Sequence, residues 1–359
     1  MLAPNLSRRE FLAATGSTAG ALALTSAQAA APASETVAFV LVGDTHYLAN
    51  KELPTEIDPI SAGVNGRLIE TINRMPGLAI SPAAGGGEVA ALRGVIHAGD
   101  LIDTGDKTGT TQQRMQETEW QHFVADYGLN GKDGRLKVPV YEVHGNHDGP
   151  RGEGIAISGI QERNRRRPGL RQVSSGGLHY SWDWGPVHFV NLGIVVGPDA
   201  SVTLRRRYNP RGSLDFLRED LKATVGDSGR PVVITHHIDI LRYSGACDPN
   251  EPANLNKEWH PCDVQAFYQA LQGFNVVAIL YGHTHARNVL KWNGTATKAD
   301  TGLNLFNVDN SGHFHNDQQA LMYFEIAADH LLVRELATRD RWQTAEWTPQ
   351  FWKLPVAKA

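Results

Sequence analysis

Five short clusters in this chain carry residue types that bind metals and move protons. They are Asp44-Thr45-His46, Gly99-Asp100-Leu101-Ile102-Asp103, Gly145-Asn146-His147-Asp148, Thr235-His236-His237 and Gly282-His283-Thr284-His285. Each follows an apolar run: Val37 to Val42, Val95 to Ala98, Val138 to Val143, Val232 to Ile234, and Val276 to Tyr281. Such runs read as buried strands, and the end of a strand is where open α/β proteins place their sites. A single cluster of this kind is weak evidence, because Gly, Asn and Asp also serve turns for backbone reasons. Five in succession, all supplying Asp, Asn or His, point to one shared cation site. Imidazole together with carboxylate suits Zn, Mn or Fe, whereas an all-oxygen Mg or Ca cage has no need of histidines.

In order and spacing these clusters resemble the calcineurin-like metallophosphoesterase superfamily, whose pattern runs D-x-H, GDxxD, GNH(D/E), H, GHxH. The resemblance extends from Asp44 to His285. It implies an α/β fold, a four-layer αββα sandwich of two mixed β-sheets flanked by helices. It also implies two metal ions (Mn, Zn or Fe), one on Asp44, His46 and His285 and the other on Asn146, His236 and His283, with Asp100 bridging. His236 is assigned over His237 because the family's ligand directly follows the strand; Ile238 stands where the family usually has proline. His147 would protonate the leaving group, with Asp148 orienting its ring. The implied reaction is attack of a metal-bridging hydroxide on a phosphate ester. Purple acid phosphatases carry a tyrosine at the position of Asp103, which argues for the non-purple branch.

The rest of the chain must position these clusters. Residues 1–30 read as a twin-arginine signal peptide: Arg8-Arg9, a moderately apolar Gly/Ala/Thr-rich stretch and an A-x-A site at Ala27-Gln28-Ala29. This predicts a periplasmic or secreted protein that meets the twin-arginine translocase during export. Residues 31–359 then form one phosphoesterase domain, with inserted substrate loops at about 149–177 and 239–262. Removing Arg8, Arg9 and Glu10 takes the formal charge from −4 to about −5, which gives no reason to expect nucleic-acid binding. No later segment is long and apolar enough for a stable membrane span.

Helices are expected at Val64–Met75, about Gln112–Tyr127, Ser213–Val225 (with Ser213 as N-cap) and Asp263–Gln272, and a hairpin around Gly185-Pro186. His97 and His144 precede clusters on their strands and read as buried neighbours of the site. The segment after Asp148 is rich in arginine; if Ile160 to Arg167 is helical, Arg163 and Arg167 share a face and could clamp phosphate oxygens. Cys247 and Cys262, the only cysteines, can pair outside the cytoplasm. Tyr243, Asp248 and Trp259 could wall the pocket, and the loop histidines His313 and His315 could approach it. The arginines favour a phosphomonoesterase acting on a phosphorylated small molecule or an inositol or lipid head group. A phosphodiesterase is the alternative. A non-catalytic binding protein would be expected to lack ligands, and none is missing.

Overall fold

The computed structural model describes residues 36–199, 207–241, 247–248, 258–295, 297–314 and 318–356. The expected signal segment lies outside the described residues, as do Arg205, Arg206, Tyr243 and His315.

Strand β1 (Val37–Val42) shows how the layers form. All its side chains are buried, and they alternate between two cores. Val37, Phe39 and Leu41 point into the core between the sheets, while Ala38, Val40 and Val42 point to the helices. Phe39 stacks on Phe324 at 4.9 Å and meets Phe189 edge-on at 5.4 Å. Trp182 and Trp184 belong to the same inter-sheet core.

In the first sheet β1 is parallel to β2 (Val95–His97), which is parallel to β3 (Val140–Glu142). The antiparallel strands β11 (Gln319–Ile326), β12 (His330–Thr338) and β13 (Glu346–Pro355) extend its other side. Among the described residues the second sheet has seven strands in the order β4-β5-β6-β7-β8-β10-β9. Its parallel centre is β6 (Val187–Asn191), β7 (Pro231–Thr235), β8 (Asn275–Tyr281) and β10 (Leu303–Asn307). The antiparallel strands β4 (Leu170–Val173), β5 (Tyr180–Trp184) and β9 (Asn288–Trp292) form its borders, with β5 and β6 joined in the expected hairpin.

Helices cover both outer faces, giving the four-layer α/β sandwich. On the first sheet lie α1 (Pro59–Arg74) and α2 (Thr110–Tyr127). On the second lie α4 (Ser213–Asp220), prolonged to Val225 by a wider turn, and α5 (Pro261–Leu271). Helix α1 starts five residues earlier than its apolar spacing suggests, because Asp58 caps it by accepting from the Ile60 and Ser61 amides, with Pro59 in the first turn. Ser213 is not a cap. Its hydroxyl donates to the Val195 carbonyl, and Gly212 precedes the helix.

The arginine-rich segment folds as a structural element and not as a lid. Helix α3 (Ile155–Arg166) sinks Ala156, Ile157 and Ile160 into the helix-side core. Arg163 and Arg167 do share a face, but it points inward, and both are nearly fully buried. Arg163 Nε donates to Glu142 at 2.6 Å and Arg167 to the same carboxylate at 2.8 Å, with the Arg167 guanidinium over the rings of Tyr141 and Tyr180. The expected phosphate clamp is therefore corrected to a buried ion triad. Burial would raise the Glu142 pKa, but the two guanidinium groups outweigh it and hold the group at about 2. That is below its ordinary value, so the triad's stabilisation is full above the normal carboxylate range and fades as pH falls towards 2. Arg167→Ala is expected to cost about 3 kcal/mol of folding stability and to leave KM unchanged, because it strands part of a buried charge. Urea unfolding beside steady-state kinetics checks this; a raised KM with unchanged stability would restore the clamp.

Cys247 and Cys262 form a disulfide that ties Cys247 to the first turn of α5. Among the described residues no helix is long and apolar enough to cross a membrane.

Candidate metal centre

The strand-end clusters converge where β1, β2 and β3 of one sheet and β7 and β8 of the other finish. The backbone is strained there. Asp44, His46, Asp100, His283 and His285 have φ of 54°, 42°, 53°, 74° and 48°. Asp and His tolerate this left-handed region better than most residues, yet each instance costs about 1–3 kcal/mol and persists only where the surroundings hold it. The bends turn the chain sharply at the strand ends, so successive polar side chains reach the edge. Two glycines permit the close packing that follows. A Cβ on Gly145 would lie 2.2 Å from Asp100 Oδ1, and one on Gly282 would lie 2.5 Å from Asp44 Oδ2. In their absence Asp100 accepts from the His147 amide at 2.8 Å, and Asp44 accepts from the His283 amide at 3.0 Å.

Three groups of side chains present ligand atoms to a common point: Asp44, His46 and His285; Asp100, His237 and His283; and His46, Asp103 and His147. In the first, His46 Nε2 and His285 Nε2 are 3.2 Å apart, and His285 Nε2 is 3.4 Å from Asp44 Oδ1. In the second, His237 Nε2 lies 3.2 Å from Asp100 Oδ2 and 3.2 Å from Asn146 Oδ1. His46 Nε2 is also 3.6 Å from Asp100 Oδ2, so Asp100 stands between the groups. The opposite ring nitrogens face acceptors, which sets the tautomers. His237 Nδ1 donates to the Ala98 carbonyl at 2.7 Å, and His46 Nδ1 donates to Asp103 Oδ1 at 3.2 Å. Each ring is left with an Nε2 lone pair directed inward, the arrangement a cation requires.

A family model described as calcineurin-like phosphoesterase matches residues 37–287. The chain belongs to the calcineurin-like phosphoesterase family. Among solved structures it is similar to a dimetal phosphatase from Danio rerio, with a TM-score of 0.52 at 16% identity, covering 90% of this chain and 99% of that one. It is also similar to a purple acid phosphatase from yellow lupin (Lupinus luteus), with a TM-score of 0.51 at 14% identity, covering 90% of this chain and 54% of that one. At such identities these likenesses establish the fold. By sequence it is 30% identical over 152 residues to purple acid phosphatase 23 of Arabidopsis thaliana; the match spans 42% of this chain and 29% of that relative.

The adjacent histidines of this calcineurin-like chain are assigned the other way round from the sequence expectation. His236 continues the alternation of β7, facing the helix-side core with Val232 and Ile234. Its ring stacks on Tyr281 at 5.6 Å and meets the edges of Trp259 and Phe267. Burial lowers its pKa to about 3, so it stays neutral. The chain turns only after it, and His237 faces Asp100. Trp259, a candidate pocket wall, is likewise core.

Asp148 does not touch the His147 ring. Its carboxylate accepts from the backbone amides of Leu101, Ile102 and Gly145, and so pins the turn after β2 to the turn after β3. The His147 ring is oriented by the Asp103 carbonyl, to which Nδ1 donates at 2.9 Å, with Asp106 Oδ1 at 3.8 Å. Burial disfavours the charged ring of His147, but Asp100, the Asp103 carbonyl and the Asp103 and Asp106 carboxylates outweigh it and raise the pKa. The same contest, led by burial and won by Asp100, lifts His237 to about 9. Dications bound at these carboxylates would oppose both shifts.

Glu258 is a participant that the sequence does not single out, and the loop histidine His313 does approach the site. Glu258 accepts from His283 Nε2 at 2.8 Å, which leaves His283 Nδ1 for the Asp100 side, and it also accepts from the Tyr208 hydroxyl and pairs with Arg207 at 3.4 Å. The ring of His313 packs 4.6 Å from that of His46 and 4.9 Å from that of His285. His97 and His144 are buried neighbours as expected; His97 Nε2 lies 2.9 Å from the Thr45 hydroxyl.

Proposed function

We propose that this protein is an exported hydrolase of small phosphate esters that uses two divalent cations, Mn, Zn or Fe. The observation that carries the reading is the set of inward-facing imidazole lone pairs around Asp44 and Asp100, with the rings of His46, His237 and His283 fixed through their other nitrogens by Asp103, Ala98 and Glu258. Asp44, His46 and His285 would hold one cation, and Asn146, His237 and His283 the other, with Asp100 between them. When bound, such a pair supplies a nucleophile from water near neutral pH and clamps phosphoryl oxygens. Asp44 and Asp100 offset part of the positive charge and leave the site attractive to an anionic ester. His147, held through Nδ1, presents Nε2 as the acid for the departing alkoxide. A carboxylate at Asp103 in place of a tyrosine supports the non-purple branch.

A phosphomonoester is the preferred substrate class. Arg207, tethered to Glu258 at the edge of the site with its side chain 45% exposed, can meet a dianionic group. The Arabidopsis relative is itself named a phosphatase. Burial of Arg163 and Arg167 removes the larger clamp and favours a second reading, a phosphodiesterase on glycerophosphodiesters, cyclic nucleotides or phospholipids. The test is hydrolysis of nitrophenyl phosphate beside its bis-ester, by protein reconstituted separately with Mn, Zn and Fe(II). Faster turnover of the monoester is expected; preference for the bis-ester replaces the first reading with the second, and hydrolysis of neither ends both.

Export rests on Arg8-Arg9 and the A-x-A site, supported by a disulfide that suits an oxidising compartment. Mass spectrometry of the periplasmic or secreted fraction is expected to find a mature chain beginning near Ala30. Full-length protein confined to the cytoplasm would exclude it.

A further inference from the structure

A cavity of about 370 Å³ adjoins the metal centre at His46 and Asp103, between the turns after β1 and β2 and the start of α2. Its inner end is formed by His46, Asp103 and His313, so a group seated in it lies against one candidate ligand and beside the carbonyl that orients His147. Its wall is apolar where Leu48, Met115 and Phe314 face it. Two lysines stand on its lining. Lys107 is paired with Asp103 at 3.0 Å, while Lys51 is exposed.

We infer that this cavity holds the alcohol portion of the substrate, an aryl- to nucleoside-sized group with an apolar face and a second anionic group reached by Lys51. The inference rests on the phosphoesterase reading above and narrows it. The volume falls at the lower end of small-molecule sites, about 300–1,000 Å³, which suits one ring system and not an extended chain. A polyphosphorylated inositol is disfavoured, because the Leu48, Met115 and Phe314 side would leave its anions without partners. The rings of His46, His313 and Phe314 all line the cavity, and aromatic lining suits a planar leaving group.

The test is calorimetric binding of naphthylphosphonate and methylphosphonate, neither of which can be hydrolysed at its P–C bond by water, to the protein as isolated. Turnover of naphthyl phosphate is followed in parallel. Naphthylphosphonate is expected to bind at least about tenfold more tightly, the worth of burying one modest apolar face. Leu48→Trp, which fills the cavity, and Phe314→Ala, which removes a wall, should each bring that ratio below about threefold. A carboxylate on the naphthyl ring should improve binding to the native protein and not to Lys51→Glu. Equal binding of the two phosphonates, or a ratio that survives both cavity variants, overturns the assignment. An intact ratio without any turnover counts against the phosphoesterase reading alone, and turnover without a ratio counts against the cavity alone.

Discussion

His237→Ala is expected to lose one of two bound cations and at least about a thousandfold in kcat/KM, since a bound cation contributes several kcal/mol to stabilising the transition state. His236→Phe is expected to keep both cations and to stay within about twofold of native turnover, as a near-isosteric change among packed rings. The adjacent residues make a sharp pair because their surroundings differ so completely. His237 Nε2 sits 3.2 Å from both Asp100 and Asn146, whereas the His236 ring is enclosed by Tyr281, Trp259 and Phe267. Metal content by plasma mass spectrometry, read beside nitrophenyl phosphate kinetics, decides it. If His236→Phe loses a cation while His237→Ala retains two, the rings have been assigned the wrong way round.

That pair also marks where sequence reasoning stopped. The clusters from Asp44 to His285 were legible because strand ends in Asp, His and Asn are a type-and-spacing signal that needs no coordinates. Choosing between two neighbouring histidines requires knowing when a strand stops alternating. The parity of Val232, Ile234 and His236, which all face the helix-side core, held that information and was outweighed by a rule about position after the strand. The arginines failed for a related reason. The spacing of Arg163 and Arg167 correctly placed them on one helix face, but periodicity does not say which way the face points. Their partner, Glu142, lies in β3 within a run that reads as apolar. Glu258 comes from an irregular segment, where no periodicity exists and only the folded chain brings it to the site, whereas His313 was legible by residue type and loop position. Strand β13 and the capping of α1 by Asp58 are smaller instances: the first is an exposed edge with weak alternation, and the second was written in Asp58-Pro59.

His147→Ala is expected to keep both cations yet lose about 10²–10⁴-fold in kcat on an alkyl phosphate, the usual worth of a positioned general acid. The loss should be far smaller on nitrophenyl phosphate, whose leaving group departs as a stable anion and needs no proton. His147 shares a candidate ligand group with His46 and Asp103, and its hydrogen bonds are what support a role in proton transfer. His147 is part-exposed, its Nδ1 is occupied by the Asp103 carbonyl at 2.9 Å, and its backbone amide alone contacts Asp100. Removing the ring therefore leaves the proposed ligands and their hydrogen bonds in place. Asp148→Asn provides the contrasting case. Its carboxylate contacts backbone amides of both turns, so it should perturb both esters alike, through displaced ligands, without discriminating between leaving groups. The ratio of the two esters' rate losses, measured with metal content held constant, separates the acid from the scaffold. An equal loss on both esters in His147→Ala would remove His147 from the chemical step.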